Sequence, residues 1–299
     1  MYTKFIKVVL KMKIHEKAYA KINLGLNILG KRADGYHEVS MVMQSVSLCD
    51  QVTVEAVSGG GIEVVTNLPG LSCGADNLAY KAAALLADKF NITPNVRITL
   101  DKKIFMAAGL AGGSSDGAAT LRALNRLWKL RLTAAELEKI AAELGSDVPF
   151  CICGGTAIAK GRGEIIEPLP DMPETYVVLA KPRNIEVSTA WVYKNYNRGR
   201  VVAAPCIWNI AGNLPRGGHA ITPYMGNVLE TVTIPAHPVI ASIKAAMLGA
   251  GAYYAMMSGS GPTVFALAED KETAKKITAA MKQFDVETAI TTTVERKKI

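Results

Sequence analysis

The sequence predicts a mixed α/β protein in two parts. Residues 18 to 28 alternate with a period of two, which marks a strand. Apolar residues recur at helical spacing over 77 to 90 and again between Ala118 and Leu144. The pattern then changes near residues 160 to 175, where Pro168, Pro170, Pro173 and Pro182 punctuate the chain.

The elements follow in order. In the first strand Ala20, Ile22, Leu24, Leu26 and Ile28 share one face, and Lys21, Asn23, Gly25 and Asn27 the other, so the strand reads as half-buried. Asp34-Gly35 signals a turn, and residues 38 to 57 read as a second strand. A helix is predicted from Asn77 to Phe90 and a short strand from Val96 to Leu100. Ala118, Leu121, Leu124, Asn125 and Trp128 then fit one face of a helix. A further helix starts at Thr133, where Thr133 and Glu136 have capping-box spacing, and Gly145 suits its C-terminal end. Cys151 and Cys153 read as strand residues, Tyr176 to Ala180 as a buried strand, and the Gly- and Pro-rich stretch 199 to 226 as a long loop. A helix over 236 to 248 leads to a glycine-rich hairpin at Met257-Ser258-Gly259-Ser260-Gly261-Pro262-Thr263, a strand from Val264 to Ala268, and a closing helix and strand.

Composition excludes several classes. Nearly half of the 299 residues are hydrophobic, enough to bury a sizeable core. No run of 18 or more apolar residues indicates a membrane span, and Met1 to Lys13 lacks the apolar core and cleavage site of a signal peptide. Five scattered cysteines argue against a disulfide framework and read as reduced thiols of a cytoplasmic protein. The formal net charge of +8 is spread along the chain, without the basic blocks and interleaved aromatics of a nucleic-acid binder. It fits a solvated basic surface and equally a field that attracts polyphosphates.

The most informative stretch is Ala107-Ala108-Gly109-Leu110-Ala111-Gly112-Gly113-Ser114-Ser115-Asp116, followed by a helix. Glycine permits close backbone approach, and a helix start offers N–H donors and a positive dipole end to a phosphate. Read alone, the same residues also describe a Gly-rich turn with Ser114, Ser115 and Asp116 as helix caps. Neither a Walker A loop nor G-x-G-x-x-G occurs here. Asp147 follows a helix end, and Lys21 lies on the polar side of a strand. Such a pair beside a phosphate loop suits activation of an alcohol, while each taken singly reads as a turn former and a solvated lysine.

Three of these segments resemble the motifs of the GHMP kinases, in the family's order. They are Ala20-Lys21-Ile22-Asn23-Leu24, Gly109-Leu110-Ala111-Gly112-Gly113-Ser114-Ser115 and Ser258-Gly259-Ser260-Gly261-Pro262-Thr263. Arg32-Ala33-Asp34-Gly35-Tyr36-His37 and Leu144-Gly145-Ser146-Asp147-Val148-Pro149-Phe150 further resemble the members that phosphorylate a cytidyl-diphospho-methylerythritol, rather than homoserine or a mevalonate derivative. The resemblance implies ATP as phosphoryl donor with Mg²⁺ expected, a small-molecule acceptor, and neither nucleic acid nor membrane as partner. It assigns no metal ligands and leaves the oligomeric state open. It implies an N-terminal ATP-binding domain over residues 1–165, similar to the second domain of ribosomal protein S5, and a ferredoxin-like C-terminal domain over 166–299.

The same resemblance gives roles residue by residue. Asp147 is the base or orienting group, and Lys21 keeps it ionised and stabilises developing charge. Phe105, Met106, Ala107, Ala108, Gly109, Leu110, Ala111, Gly112, Gly113, Ser114 and Ser115 bind ATP. Asn23 binds the methylerythritol part, Tyr36 and His37 the cytidine, and Thr189 and Tyr193 line the same site. Gly259, Ser260 and Gly261 approach the substrate. Tyr19, Phe105 and Gly117 depart from the family's usual residues without removing a donor or a charge. Met12 reads as a natural start, so residues 1 to 11 are expected to be dispensable. A non-catalytic nucleotide-binding module on the same fold is the competing class, and an intact Lys21 and Asp147 argue against it.

Overall fold

In a computed structural model the described residues are 12–296; the expectation for residues 1 to 11 lies outside them. Two compact units form. The first takes in residues 12–19, then Cys49–Ile104 and Ala111–Cys153; the second takes in Ala20–Leu48, Phe105–Leu110 and residues 154–296. Strands β1 (Lys13–Lys31) and β2 (His37–Ala56) each contribute to both.

In the first unit the sheet order is β3 (Gly61–Thr66), β4 (Asn95–Asp101), β2, β1. β3 runs parallel to β4, and β4 antiparallel to β2. Helices α1 (Leu78–Lys89) and α2 (Gly112–Leu127) pack on one another. Leu86, Ile98, Leu100, Leu121 and Leu124 are fully buried there, each contributing about 1.5–3 kcal/mol relative to exposure. Asn77 caps α1 by accepting from the Ala79 N–H, and Phe90 closes it, as predicted. The Thr133–Glu136 capping box is formed at the start of α3 (Ala134–Ala141). That helix stops at Ala141 rather than at Gly145, and continues as turns through Leu144.

Cys151 and Cys153 correct the sequence reading. They lie on α4 (Val148–Cys153), a six-residue helix, not on a strand. Pro149 is compatible with a helix in its first turn, and Gly154 and Gly155, both at positive φ, end it. None of the five cysteines forms a disulfide.

The second unit holds two sheets. One runs β6 (Ile165–Pro168), β5 (Thr156–Gly161), β2, β1, β8 (Gly226–Asn227). The other is antiparallel, ordered β11 (Val286–Thr292), β7 (Tyr176–Pro182), β10 (Val264–Ala268), β9 (Tyr254–Met257). Counted in chain order that is fourth, first, third, second, the ferredoxin-like arrangement. Helix α9 (Val239–Gly249) packs on β9 and β10, and α10 (Lys271–Ala280) on β7 and β11. Ile243, Met247, Phe265 and Ile277 fill the space between.

Residues 199 to 226 are not a bare loop. They contain α6 (Ile207–Asn213) and α7 (Gly218–Ile221), preceded by α5 (Thr189–Asn195). The predicted helix over 236 to 248 is α9, and a further helix, α8 (Glu230–Ala236), precedes it at an angle of 104° across His237-Pro238. Pro238 disfavours a helical residue before it, and His237 lies outside the helical region at φ −135°, ψ 77°. Among the described residues no single helix is long and apolar enough to cross a membrane; α8 and α9 pass that test only as a bent pair, by length and composition.

Candidate active site

The second unit gathers most of the predicted residues. Lys21 and Asn23 stand two apart on β1, hence on one face. That face is buried along with the apolar one, which corrects the half-buried reading: Lys21 is 4% exposed and Asn23 fully buried. A buried ammonium needs polar partners, and Lys21 Nζ donates to Asn23 Oδ1 at 2.8 Å. Asn23 Nδ2 in turn donates to Met41 Sδ at 3.5 Å.

The Lys21 N–H donates to the Leu110 carbonyl at 3.1 Å, tying β1 to the segment Phe105–Leu110. In this loop Ala107, Gly109 and Ala111 have φ of 48°, 71° and 59°. Two left-handed alanines each cost about 1–2 kcal/mol, a strain that surrounding structure sustains mainly at functional sites. Backbone of this kind builds anion-binding concavities. Gly109 is needed for space as well. A Cβ there would lie 2.4 Å from the Ser258 carbonyl oxygen and 3.1 Å from that of Gly261. Ser258 Oγ donates to the Gly109 carbonyl at 3.1 Å. A Cβ on Gly259 would lie 3.3 Å from Lys21 Nζ. The first, second and third glycine-rich or lysine motifs therefore meet at Lys21, Gly109 and Ser258–Gly261.

Thr189 Oγ1 lies 2.9 Å from Ser260 Oγ, so Thr189 joins that loop. The His37 ring is 5.5 Å from the Tyr193 ring, tilted by 40°, and 6.4 Å from the Tyr196 ring, edge on. Burial, and then the charge of Lys31, hold the His37 imidazole below its ordinary pKa. Tyr36 is 55% exposed and lies under the Arg162 guanidinium at 5.0 Å. Tyr196 and Arg162 escaped the sequence reading. Tyr196 follows Tyr193 by three residues, a helical spacing that could have found it; Arg162 sits between two glycines and leaves no signal.

The first unit carries the other half of the loop. Ala111 stands at the N-cap of α2 with no side-chain cap bond. The capping reading of Ser114, Ser115 and Asp116 is thereby excluded: all three lie inside the helix, and Ser115 Oγ donates instead to the Tyr19 carbonyl at 2.7 Å. Asp147 is half-buried in the turn just before α4, and its carbonyl accepts the Cys151 N–H at 3.2 Å.

Beneath α2 lies a cluster the sequence did not suggest. Lys102 Nζ bridges the carboxylates of Asp50 and Asp116, all three side chains being almost fully buried. Asp50 Oδ1 also accepts the Lys103 and Ile104 N–H groups. Asp116 Oδ1 is buried without a hydrogen-bond partner. Burial pushes Asp116 up to about 7, against the pull of Lys102. Burial also disfavours the Lys102 ammonium, yet the charges of Asp116 and Asp50 outweigh it and hold its pKa above the ordinary lysine value.

The family described as GHMP kinases N terminal domain matches residues 77–155, and GHMP kinases C terminal matches 207–286. A 4-diphosphocytidyl-2-C-methyl-D-erythritol kinase of Bacillus mycoides is 49% identical over 91% of this chain and 94% of its own length. One from Bacillus cereus is 48% identical over the same shares. A crystal structure of 4-(cytidine 5'-diphospho)-2C-methyl-D-erythritol kinase superposes with a TM-score of 0.81 at 34% identity, covering 94% of this chain and 99% of that one. A homoserine kinase from Cytophaga hutchinsonii shares the fold, with a TM-score of 0.71 at 21% identity over 96% of both chains. On its sequence match to the Bacillus enzymes and its GHMP fold, the chain belongs to the 4-diphosphocytidyl-2-C-methyl-D-erythritol kinase family of the GHMP kinases.

Proposed function

We propose that this chain transfers the γ-phosphate of ATP to the 2-hydroxyl of 4-diphosphocytidyl-2-C-methyl-D-erythritol, releasing ADP and the 2-phosphate. The observation that carries the phosphoryl-transfer reading is the left-handed loop at 107–111, which leads into a helix start without a side-chain cap and is bonded through Leu110 to the strand bearing Lys21. Kinship at 49% identity supports the choice of acceptor.

In this reading the N–H groups of Phe105 to Ser115 and the dipole of α2 hold the phosphates. Asp147 takes or orients the proton of the acceptor hydroxyl, which attacks the γ-phosphorus as the bond to the ADP oxygen breaks. Lys21 stabilises the charge that develops on the transferred group. Asn23 orients the methylerythritol. Tyr36 and His37 hold the cytidine, Thr189 and Tyr193 line the same site, and Gly259, Ser260 and Gly261 approach the substrate. Residues 1–165 then serve nucleotide binding, and 166–299 complete the substrate site. The cytoplasm, where thiols stay reduced, is the location this reading implies.

Mg²⁺ belongs to the reading as well. Among the described residues no group of three or more His, Cys, Asp or Glu is arranged to hold a metal ion. An ion arriving on the nucleotide phosphates needs only one or two protein oxygens. Ser114, half-buried in the first turn of α2, supplies one, whereas the Ser115 hydroxyl is engaged by Tyr19. Once bound, the ion neutralises phosphate charge.

The test is ADP formation with Mg-ATP and the cytidylated substrate, beside homoserine, mevalonate and phosphomevalonate. Turnover with the cytidylated substrate alone is expected. Turnover with a different alcohol overturns the acceptor, and ATP binding without turnover on any overturns the reaction.

A further inference from the structure

The loop Ser258–Gly261 has two sides. One meets Gly109 and Lys21, as described above. The other rests on polar side chains that no role has yet been given. Asn227 ends β8, which pairs in parallel with β1 in the register Gly25↔Gly226 and Leu26↔Asn227. It is 7% exposed. Its amide Nδ2 donates to the Met257 carbonyl at 2.9 Å and to the Gly259 carbonyl at 2.7 Å. Its Oδ1 accepts the Leu229 N–H at 3.0 Å.

A carboxamide has two donor hydrogens, and both are spent on the loop. No other small side chain presents two hydrogens to two carbonyls while accepting a third bond behind. Support comes from α8. Thr233 Oγ1 donates to the Ser260 carbonyl at 3.1 Å. Glu230 Oε1 accepts the Met257 N–H at 2.8 Å and is itself held by Lys244. The carbonyls of residues 257, 259 and 260 are thus pinned from one side. The opposite side carries the Ser258–Gly109 bond and the close approach of Gly259 to Lys21.

We propose that Asn227, supported by Thr233, is a positioning residue for phosphoryl transfer: it sets the placement of Ser258–Gly261 against Lys21 and Gly109 without touching the substrate itself. The inference rests on the kinase reading above. Misplacing reacting groups by about 1 Å can cost on the order of 10²-fold in rate, so a device that fixes one wall of the site acts on turnover more than on nucleotide affinity.

Asn227→Asp tests it, because it keeps size and shape but turns donors into acceptors facing two carbonyls. Thr233→Val is the milder companion, removing one hydroxyl from a buried position. Steady-state kinetics, the thermal midpoint and amide exchange at residues 257–261 are measured on the full chain. Asn227→Asp is expected to lower kcat on the order of 10²-fold and to leave KM for ATP within about twofold. Gly259 and Gly261 should exchange faster while β7 and β10 keep their protection. Thr233→Val is expected to lower kcat by about tenfold or less, the scale of one net hydrogen bond. Wild-type kcat in Asn227→Asp overturns the proposal. So does a loss shared by kcat, KM and the protection of the whole molecule in that variant, with Thr233→Val unchanged. Absence of turnover by the wild-type chain strikes the kinase reading instead, and the exchange measurement then decides alone whether Asn227 holds the loop.

Discussion

Asp147 and Asp116 are carboxylates in the same unit with opposite settings. Asp147 is half-buried at the mouth of a short helix, whereas Asp116 is sealed beneath α2 with Lys102 and Asp50. The proposed base gives a plain prediction. Asp147→Asn keeps ATP affinity, measured by calorimetry, and loses turnover by a factor on the order of 10² or more; wild-type turnover removes Asp147 from the reaction. Asp116 gives a prediction about pH. Its folded pKa, about 7, stands above the ordinary carboxylate value of 3.8, so between those values the native state binds more protons than the unfolded one. Its contribution to stability is therefore fully present below about pH 4 and is lost as pH rises through about 7. Urea midpoints between pH 5 and pH 8 should fall in the wild type, and Asp116→Asn should flatten that slope. An unchanged slope would place the ionisation elsewhere. In the sequence Asp116 looks like a helix cap; only the fold reveals that Lys102, fourteen residues earlier, and Asp50 lie against it.

Elements whose ends are set by local chemistry were legible in the sequence. Asn77 and Thr133 cap their helices because a short oxygen-bearing side chain satisfies N–H groups two or three residues on. The Thr133 box predicts that Thr133→Ala costs about 1 kcal/mol, read as a lower denaturation midpoint with turnover unchanged. A loss of turnover at full stability would tie α3 to the reaction. Elements shaped by their surroundings were less legible. Val148–Cys153 is apolar at every position, and so short a run has no periodicity to separate strand from helix. Residues 199 to 226 carry Gly and Pro where helices start and stop, and short helices held by tertiary packing leave little propensity signal.

At the scale of the whole molecule, a ligand that binds only the folded state raises stability by mass action. ATP with Mg²⁺ at about 100 times its Kd should add about 2.7 kcal/mol, visible as a rise in the thermal midpoint. Absence of any rise would remove the nucleotide from the reading. The sequence by itself determined the mixed α/β class, the ferredoxin-like C-terminal sheet implied by the family motifs, and the family, because motif order and strand alternation are local properties of the chain. Only the tertiary structure decided that the polar face of β1 is buried, that Lys21 meets Gly109 and Gly259, and that Asn227 supports their loop from behind. Those facts depend on residues from 32 (227 to 259) to 238 (21 to 259) positions apart being brought into contact. Periodicity reports which side of a strand is apolar, and says nothing of what distant backbone will cover the other side.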